Sequence, residues 1–200
     1  MKLLTTLLLL TAMALSPTET QLNIGDKAPG QDLELKNIDG NNLTLEKLKG
    51  EKGLLVIYSC NTCPYVVAWE DRYNELYKYS ANEGIGFVLV NSNEAKREGD
   101  DSLEEMKKHA QEKGYFNFAY VVDENHQLAD LFGATKTPDV FLFNADMELV
   151  YKGAIDDNSK DKNAVEEPYL MNALKALSAG KKIKPETTKA LGCSIKRIKS

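Results

Sequence analysis

The sequence predicts an α/β fold: a mixed central sheet flanked by helices, with an N-terminal β-hairpin extension. Three observations carry the prediction. Residues 54–58 and 85–90 are short, continuous apolar runs, the mark of strands buried on both faces. Segments with helical signals follow each of them, so strand and helix alternate as parallel crossovers require. Later, residues 140–155 form two apolar stretches turned at Asn144-Ala145-Asp146, which adds an antiparallel pair. With 42% hydrophobic residues and only 6 Pro and 13 Gly among 200, the chain can bury one core and is neither disordered nor collagen-like.

Along the chain, Met1 and Lys2 precede an apolar run, residues 3–15, interrupted only by Thr5, Thr6 and Thr11. It is shorter than the roughly 17–25 residues that span a bilayer, and Ala12-Met13-Ala14 offers the small-x-small pattern of a cleavage site. Residues 1–14 are therefore expected to be a signal peptide, and the mature protein to be exported, periplasmic or secreted, without a membrane span. Residues 22–180 are expected to hold the folded domain. There, residues 33–45 alternate apolar and polar about Asp39-Gly40, a hairpin signal. The buried strand 54–58 comes next. After Pro64, the apolar residues Tyr65, Trp69, Tyr73 and Leu76 recur at helical spacing and predict a helix. The strand 85–90 follows, and Ser102-Leu103-Glu104-Glu105 is a capping box that opens another helix. A strand near 118–122, a short helix near 127–132, the antiparallel pair and a last helix from Pro168 to a capping Gly180 complete the domain. Residues 181–200 are polar and basic without a sustained period, and read as a C-terminal tail.

Charge and cysteine content narrow the function. Lys and Arg number 25 against 30 Asp and Glu, a net charge of -5, so no basic surface is available for nucleic acid. Three cysteines are too few for a disulfide-stapled scaffold. Two of them form Cys60-Asn61-Thr62-Cys63-Pro64, where a buried strand meets a helix. Free N–H groups at a helix start favour a thiolate, so Cys60 is expected to attack a substrate disulfide and Cys63, one turn on, to resolve the mixed disulfide. The same spacing also serves zinc or copper sites and structural disulfides. Against a metal, Cys193, His109 and His126 are the remaining candidate ligands and none stands at paired spacing. Against a structural role, so short a loop gains little from closure. No metal and no organic cofactor are expected. A second element is Thr137-Pro138, directly before the apolar strand that begins at Val140; proline suits the first position of a strand.

Plainer readings cover the rest. Trp69 and Tyr65, Tyr73, Tyr77 and Tyr79 are expected to be core or rim, His109 and His126 to face solvent, and the acidic run 98–101 and Lys181-Lys182 to be solvated surface.

Cys60-x-x-Cys63 opening a helix after a buried strand, with Thr137-Pro138 before an antiparallel pair, resembles the thioredoxin superfamily over residues 22–180. More closely, Cys60-Asn61-Thr62-Cys63-Pro64-Tyr65-Val66, Val90-Asn91-Ser92-Asn93, Thr137-Pro138-Asp139, the segment 153–158 and Gly192-Cys193-Ser194-Ile195-Lys196 look like a peroxiredoxin-like, AhpC/TSA-like branch of secreted redoxins. The resemblance implies a thioredoxin-like fold, a cis Pro138 packed on the redox pair and keeping metal from it, and a Thr137 backbone that pairs with an extended substrate. Cys193 itself has two readings, a surface thiol or a third redox thiol brought back to the pair, and the match at Gly192-Cys193-Ser194-Ile195 implies a retained arrangement. Two departures stand out. The acidic residue that thioredoxins bury six positions before the first Cys is here Leu54, and the Trp just before that Cys is Ser59. Aligning the peroxidase pattern Pro-x-x-x-Thr-x-x-Cys on Cys63 puts Val56 at the Pro and Cys60 at the Thr, so that pattern is broken.

The leading expectation is an exported thiol-disulfide oxidoreductase with Cys60, Cys63 and Pro138 in the catalytic site and Thr137 at the substrate. Its partners would be protein or small-molecule disulfides and thiols, and an upstream thiol donor. The alternatives are a thiol peroxidase acting on hydroperoxides and a redox-sensitive binding module or copper chaperone.

Overall fold

Gly53-Leu54-Leu55-Val56-Ile57-Tyr58 is apolar but for the Tyr58 hydroxyl, and it forms β3 (Gly53–Tyr58), buried along its whole length at the centre of the sheet. This is seen in a computed structural model that describes residues 21–198. The expected signal peptide, residues 1–14, lies outside the described residues. On one side β3 runs parallel to β4 (Ile85–Asn91), which runs parallel to β5 (Ala119–Val122). On the other it pairs antiparallel with β7 (Asp139–Asn144), itself antiparallel to β8 (Leu149–Gly153). The hairpin β1 (Leu35–Asn37) and β2 (Asn42–Leu43) turns at Gly40, whose φ of +95° glycine adopts readily, and joins the sheet through β5. The order is β2-β1-β5-β4-β3-β7-β8, a mixed sheet as the sequence predicts.

Side chains alternate across the sheet and feed two cores. Leu55, Ile57, Leu89, Val140 and Leu142 meet α2 (Pro64–Trp69), α3 (Tyr73–Asn82), α4 (Leu103–Lys113) and α6 (Tyr169–Ser178) through Val66, Trp69, Tyr73, Met106 and Leu174. Leu54, Val56, Tyr58, Val90 and Phe141 meet the short α1 (Leu45–Leu48) and α5 (Gln127–Phe132) through Leu45, Leu128 and Phe132. Ser102 caps α4 as expected, accepting from the Glu105 N–H at 3.3 Å. Among the described residues no helix is long and apolar enough to cross a membrane.

Three features depart from the sequence reading. Leu45 begins a one-turn helix capped by Thr44 rather than continuing the hairpin. The helix expected after Pro64 is interrupted by a 3₁₀ turn, Glu70–Arg72, whose tighter winding turns Glu70 and Arg72 inward. There Arg72 and the Trp69 indole both donate to the buried Asp156, while Glu70 accepts from His109 at 2.9 Å, so His109 is not solvent-facing as expected. Finally, the polar tail is packed. Ile183 enters the first core, the 186–188 stretch covers the outer edge of β8, and Ile195 enters the second core. In between, β9 (Cys193–Ser194) pairs antiparallel with β6 (Lys136–Thr137).

Candidate active site

The loop that joins β3 to α2 carries the first two thiols. Pro64 takes the first helical position, where a missing N–H costs nothing, and Cys63 is the cap residue. The loop is clamped from a neighbouring strand end. Asp101 accepts from the Asn61 backbone N–H at 2.8 Å, from Asn91 Nδ2 at 2.8 Å and from Asn93 Nδ2 at 3.0 Å. Asn61 in turn donates to the Asp100 carbonyl and accepts from the Tyr120 hydroxyl at 3.0 Å. Asp101 is fully buried, against the expectation that the acidic run is solvated surface. Its three donors replace the water that burial removes. Asp101→Ala leaves those donors facing a void and is expected to cost about 3 kcal/mol in urea unfolding, with Asp101→Asn costing less.

Thr137 touches both thiols. Cys60 Sγ donates to its hydroxyl at 3.6 Å and Cys63 Sγ to its carbonyl at 3.0 Å. The Thr137–Pro138 bond is cis, as the resemblance implies, and places Pro138 directly after this shared contact. Across β6 and β9, Thr137 faces Cys193. A cavity of about 220 Å³ is lined by Cys60, Cys63, Cys193, Thr137, Lys96 and Lys196. The structure thus brings Thr137 and Cys193, far away in sequence, to the Cys60/Cys63 pair. It sets His126 elsewhere, on Asp130 at 2.7 Å. Among the described residues no group of three His, Cys, Asp or Glu is disposed to hold a metal ion.

The two paired thiols titrate in opposite directions. Cys60 is pushed up by the neighbouring Cys63 sulfur, by its burial and by the nearby Asp101 charge. Cys63 is pulled well down, above all by the neighbouring Cys60 thiol and further by the proximity of Cys193, Thr137 and the start of α2, which outweigh its burial. In the opposite sense, the Thr137 carbonyl, 3.0 Å from Cys63 Sγ, favours its protonated form. This reverses the sequence reading, which makes Cys60 the thiolate. The helix starts at Pro64 as the sequence predicts, so Cys63 is its cap residue and stands nearer the helix N-terminus than Cys60 does.

Residues 24–152 match the AhpC/TSA family. The chain belongs to the AhpC/TSA family. Membership makes it a redoxin, in a group of thiol-disulfide oxidoreductases and peroxidases, with the thioredoxin-like fold. Two solved structures resemble it closely: an uncharacterized conserved protein from Geobacillus kaustophilus, 34% identical over 90% of this chain and 95% of the other, TM-score 0.82, and a hypothetical protein from Sinorhizobium meliloti 1021, 30% identical over 90% and 98%, TM-score 0.82. A putative thiol:disulfide interchange protein DsbE from Chlorobium tepidum, 18% identical over 80% and 98%, TM-score 0.59, shares the fold. No curated protein matches significantly.

In this AhpC/TSA chain the sequence reading quotes Asn91 and Asn93 only within the resemblance and Asp101 only as surface charge, and misses the clamp they form. A signal for them exists, since Asn91-Ser92-Asn93 ends an apolar strand with polar residues that are all buried. Leu54, standing where thioredoxins keep an acid, lies in the second core and offers the thiols no proton acceptor.

Proposed function

We propose that the protein is an exported thiol-disulfide oxidoreductase that works through a Cys60/Cys63 dithiol, with Cys63 as the attacking thiolate and Cys60 as the resolving thiol. The observation that carries this reading is the placement of Cys63 as the cap residue of α2, where the helix N-terminus favours a thiolate, with Cys60 beside it and both sulfurs against Thr137. Cys63 is accordingly shifted down and Cys60 up. A thiolate is the nucleophile in disulfide exchange, and a neighbouring thiol completes the turnover by displacing the reduced product. Thr137 orients both sulfurs and Pro138 fixes the chain beside them. Export is supported by the apolar N-terminal run and by the small-x-small pattern at Ala12-Met13-Ala14. Substrates are disulfides and thiols, with an upstream thiol donor to reset the pair.

A second reading, thiol peroxidase, is favoured by one observation. Placing the peroxidatic Cys on Cys63 coincides with the residue whose thiolate is stabilised. Against it stands Val56 in the position of the pattern's proline.

Alkylation of the reduced protein at limiting pH, mapped by mass spectrometry, tests the roles. Cys63 is expected to label near pH 6 while Cys60 stays protected; faster labelling of Cys60 would restore the opposite order. Turnover with a model disulfide against turnover with hydrogen peroxide decides between the two chemistries.

A further inference from the structure

The C-terminal strand is not used by the exchange described above, yet it reaches the same sulfurs. In β9, Cys193 lies opposite Thr137 and Ser194 opposite Lys136. Opposed residues in an antiparallel pair have Cα atoms about 4.5–5.5 Å apart. Cys193 is therefore one side-chain length from the residue whose carbonyl contacts Cys63 Sγ at 3.0 Å. The Cys63 and Cys193 thiols are near enough for each to shift the other's titration, Cys63 down and Cys193 up. All three thiols line one cavity.

The strand is held from both ends. The Ile195 N–H donates to the Thr135 carbonyl at 3.1 Å, the Lys196 N–H donates to Asn93 Oδ1 at 2.8 Å, and the Lys196 carbonyl accepts from the Ala95 N–H at 2.8 Å. Arg197 adds bonds to Asp130 and to the Ala134 carbonyl, both at 2.8 Å. Before the strand, Gly192 passes so close to β6 that a Cβ there would lie 2.5 Å from the Thr137 carbonyl oxygen. The missing side chain is what lets β9 reach the edge.

We propose that Cys193 is a third redox thiol of this site, an exchange partner that β9 holds against Cys63 in the place of an incoming substrate strand. The proposal rests on the reading of the Cys60/Cys63 pair as an exchanging dithiol. Once Cys63 has formed a mixed disulfide with a substrate, the Cys193 thiolate attacks the Cys63 sulfur. The Cys63–Cys193 bond forms, the bond to the substrate breaks, and the departing thiolate takes up the proton that Cys193 released. Cys60 then attacks the same sulfur; the Cys60–Cys63 bond forms and Cys193 leaves, taking the proton from Cys60. Two electrons pass from protein thiols to the substrate disulfide, and no further oxidant enters. While β9 occupies β6, a polypeptide cannot dock there by adding a strand, so a substrate reaches the sulfurs through the cavity of about 220 Å³.

The test uses Cys60→Ser and Cys60→Ala, which remove the competing partner, each incubated with oxidised glutathione, quenched in acid and mapped by mass spectrometry. Cys63 is expected to be bonded to Cys193 at least tenfold more often than to glutathione, because a partner held in place competes at an effective concentration above the roughly millimolar level of a flexible tether. Cys63 carrying glutathione with Cys193 free, in a variant of native circular dichroism, overturns the proposal. Adding Gly192→Val to Cys60→Ala is expected to lower the Cys63–Cys193 fraction at least tenfold; an unchanged fraction overturns the part given to β9. Wild-type protein in the same buffer separates the two readings: absence of a Cys60–Cys63 bond there sinks the dithiol reading, whatever bond the variants form.

Discussion

Cys63→Ser is expected to lower the first step of disulfide exchange by about a thousandfold or more, while Cys60→Ser lowers that step by no more than about tenfold. A serine hydroxyl is not ionised near neutral pH, so the variant at Cys63 has no nucleophile at the N-terminus of α2. Serine at Cys60 still carries an O–H that can point at Cys63, and the Cys63 thiol keeps its place at the helix N-terminus. Single-turnover attack on a chromogenic aromatic disulfide separates this step from resolution. For the wild type the rate is expected to be nearly flat across neutral pH, since a depressed thiol has already ionised below it. A rate that climbs through pH 8–9, or a larger loss at Cys60 than at Cys63, would return the attacking role to Cys60.

The contrast between those two thiols marks where the sequence is legible and where it is not. β3, β4, α4 and α5 follow from local signals: continuous apolar runs, the Ser102 cap, and a short apolar stretch before Gly133. Each is decided by residues a few positions apart. The Cys60 and Cys63 roles turn on groups outside the motif, Thr137 on β6 and Cys193 on β9, which a Cys-x-x-Cys spacing does not reveal. Asp101 looks like one more charge in an acidic run until Asn61, Asn91 and Asn93 are seen around it. The tail is harder still. Ile183 and Ile195 stand twelve residues apart with polar sequence between them, and the two-residue β9 is held by backbone bonds that no side-chain period announces.

Asp139 is expected to make stability fall as pH rises from about 4 to about 7, by up to about 4 kcal/mol in all. It follows Pro138 at the start of β7, opposite Tyr58, and is only 8% exposed. Burial pushes its carboxyl up to about 7, against weaker help from the backbone N–H groups of Thr135, Lys136 and Val140 and from the more distant Lys152 charge. In the unfolded chain the same group releases its proton near its ordinary value of 3.8. Between the two values the folded state holds a proton that the unfolded state has lost, so raising the pH favours unfolding, at up to about 1.4 kcal/mol per pH unit. Above pH 7 both states are ionised and the loss is complete. Cys63 works the other way, because its depressed thiol favours the folded state as pH rises towards the unfolded thiol's value. The wild-type profile alone therefore mixes two opposed slopes. Subtracting it from the profile of Asp139→Asn, which keeps an acceptor oxygen but cannot ionise, isolates the carboxyl. In urea unfolding the asparagine variant should gain on the wild type steadily from pH 4.5 to 7 and hold a constant lead beyond. A difference that stays flat over that range would mean that Asp139 ionises as freely in the folded protein as in the unfolded chain.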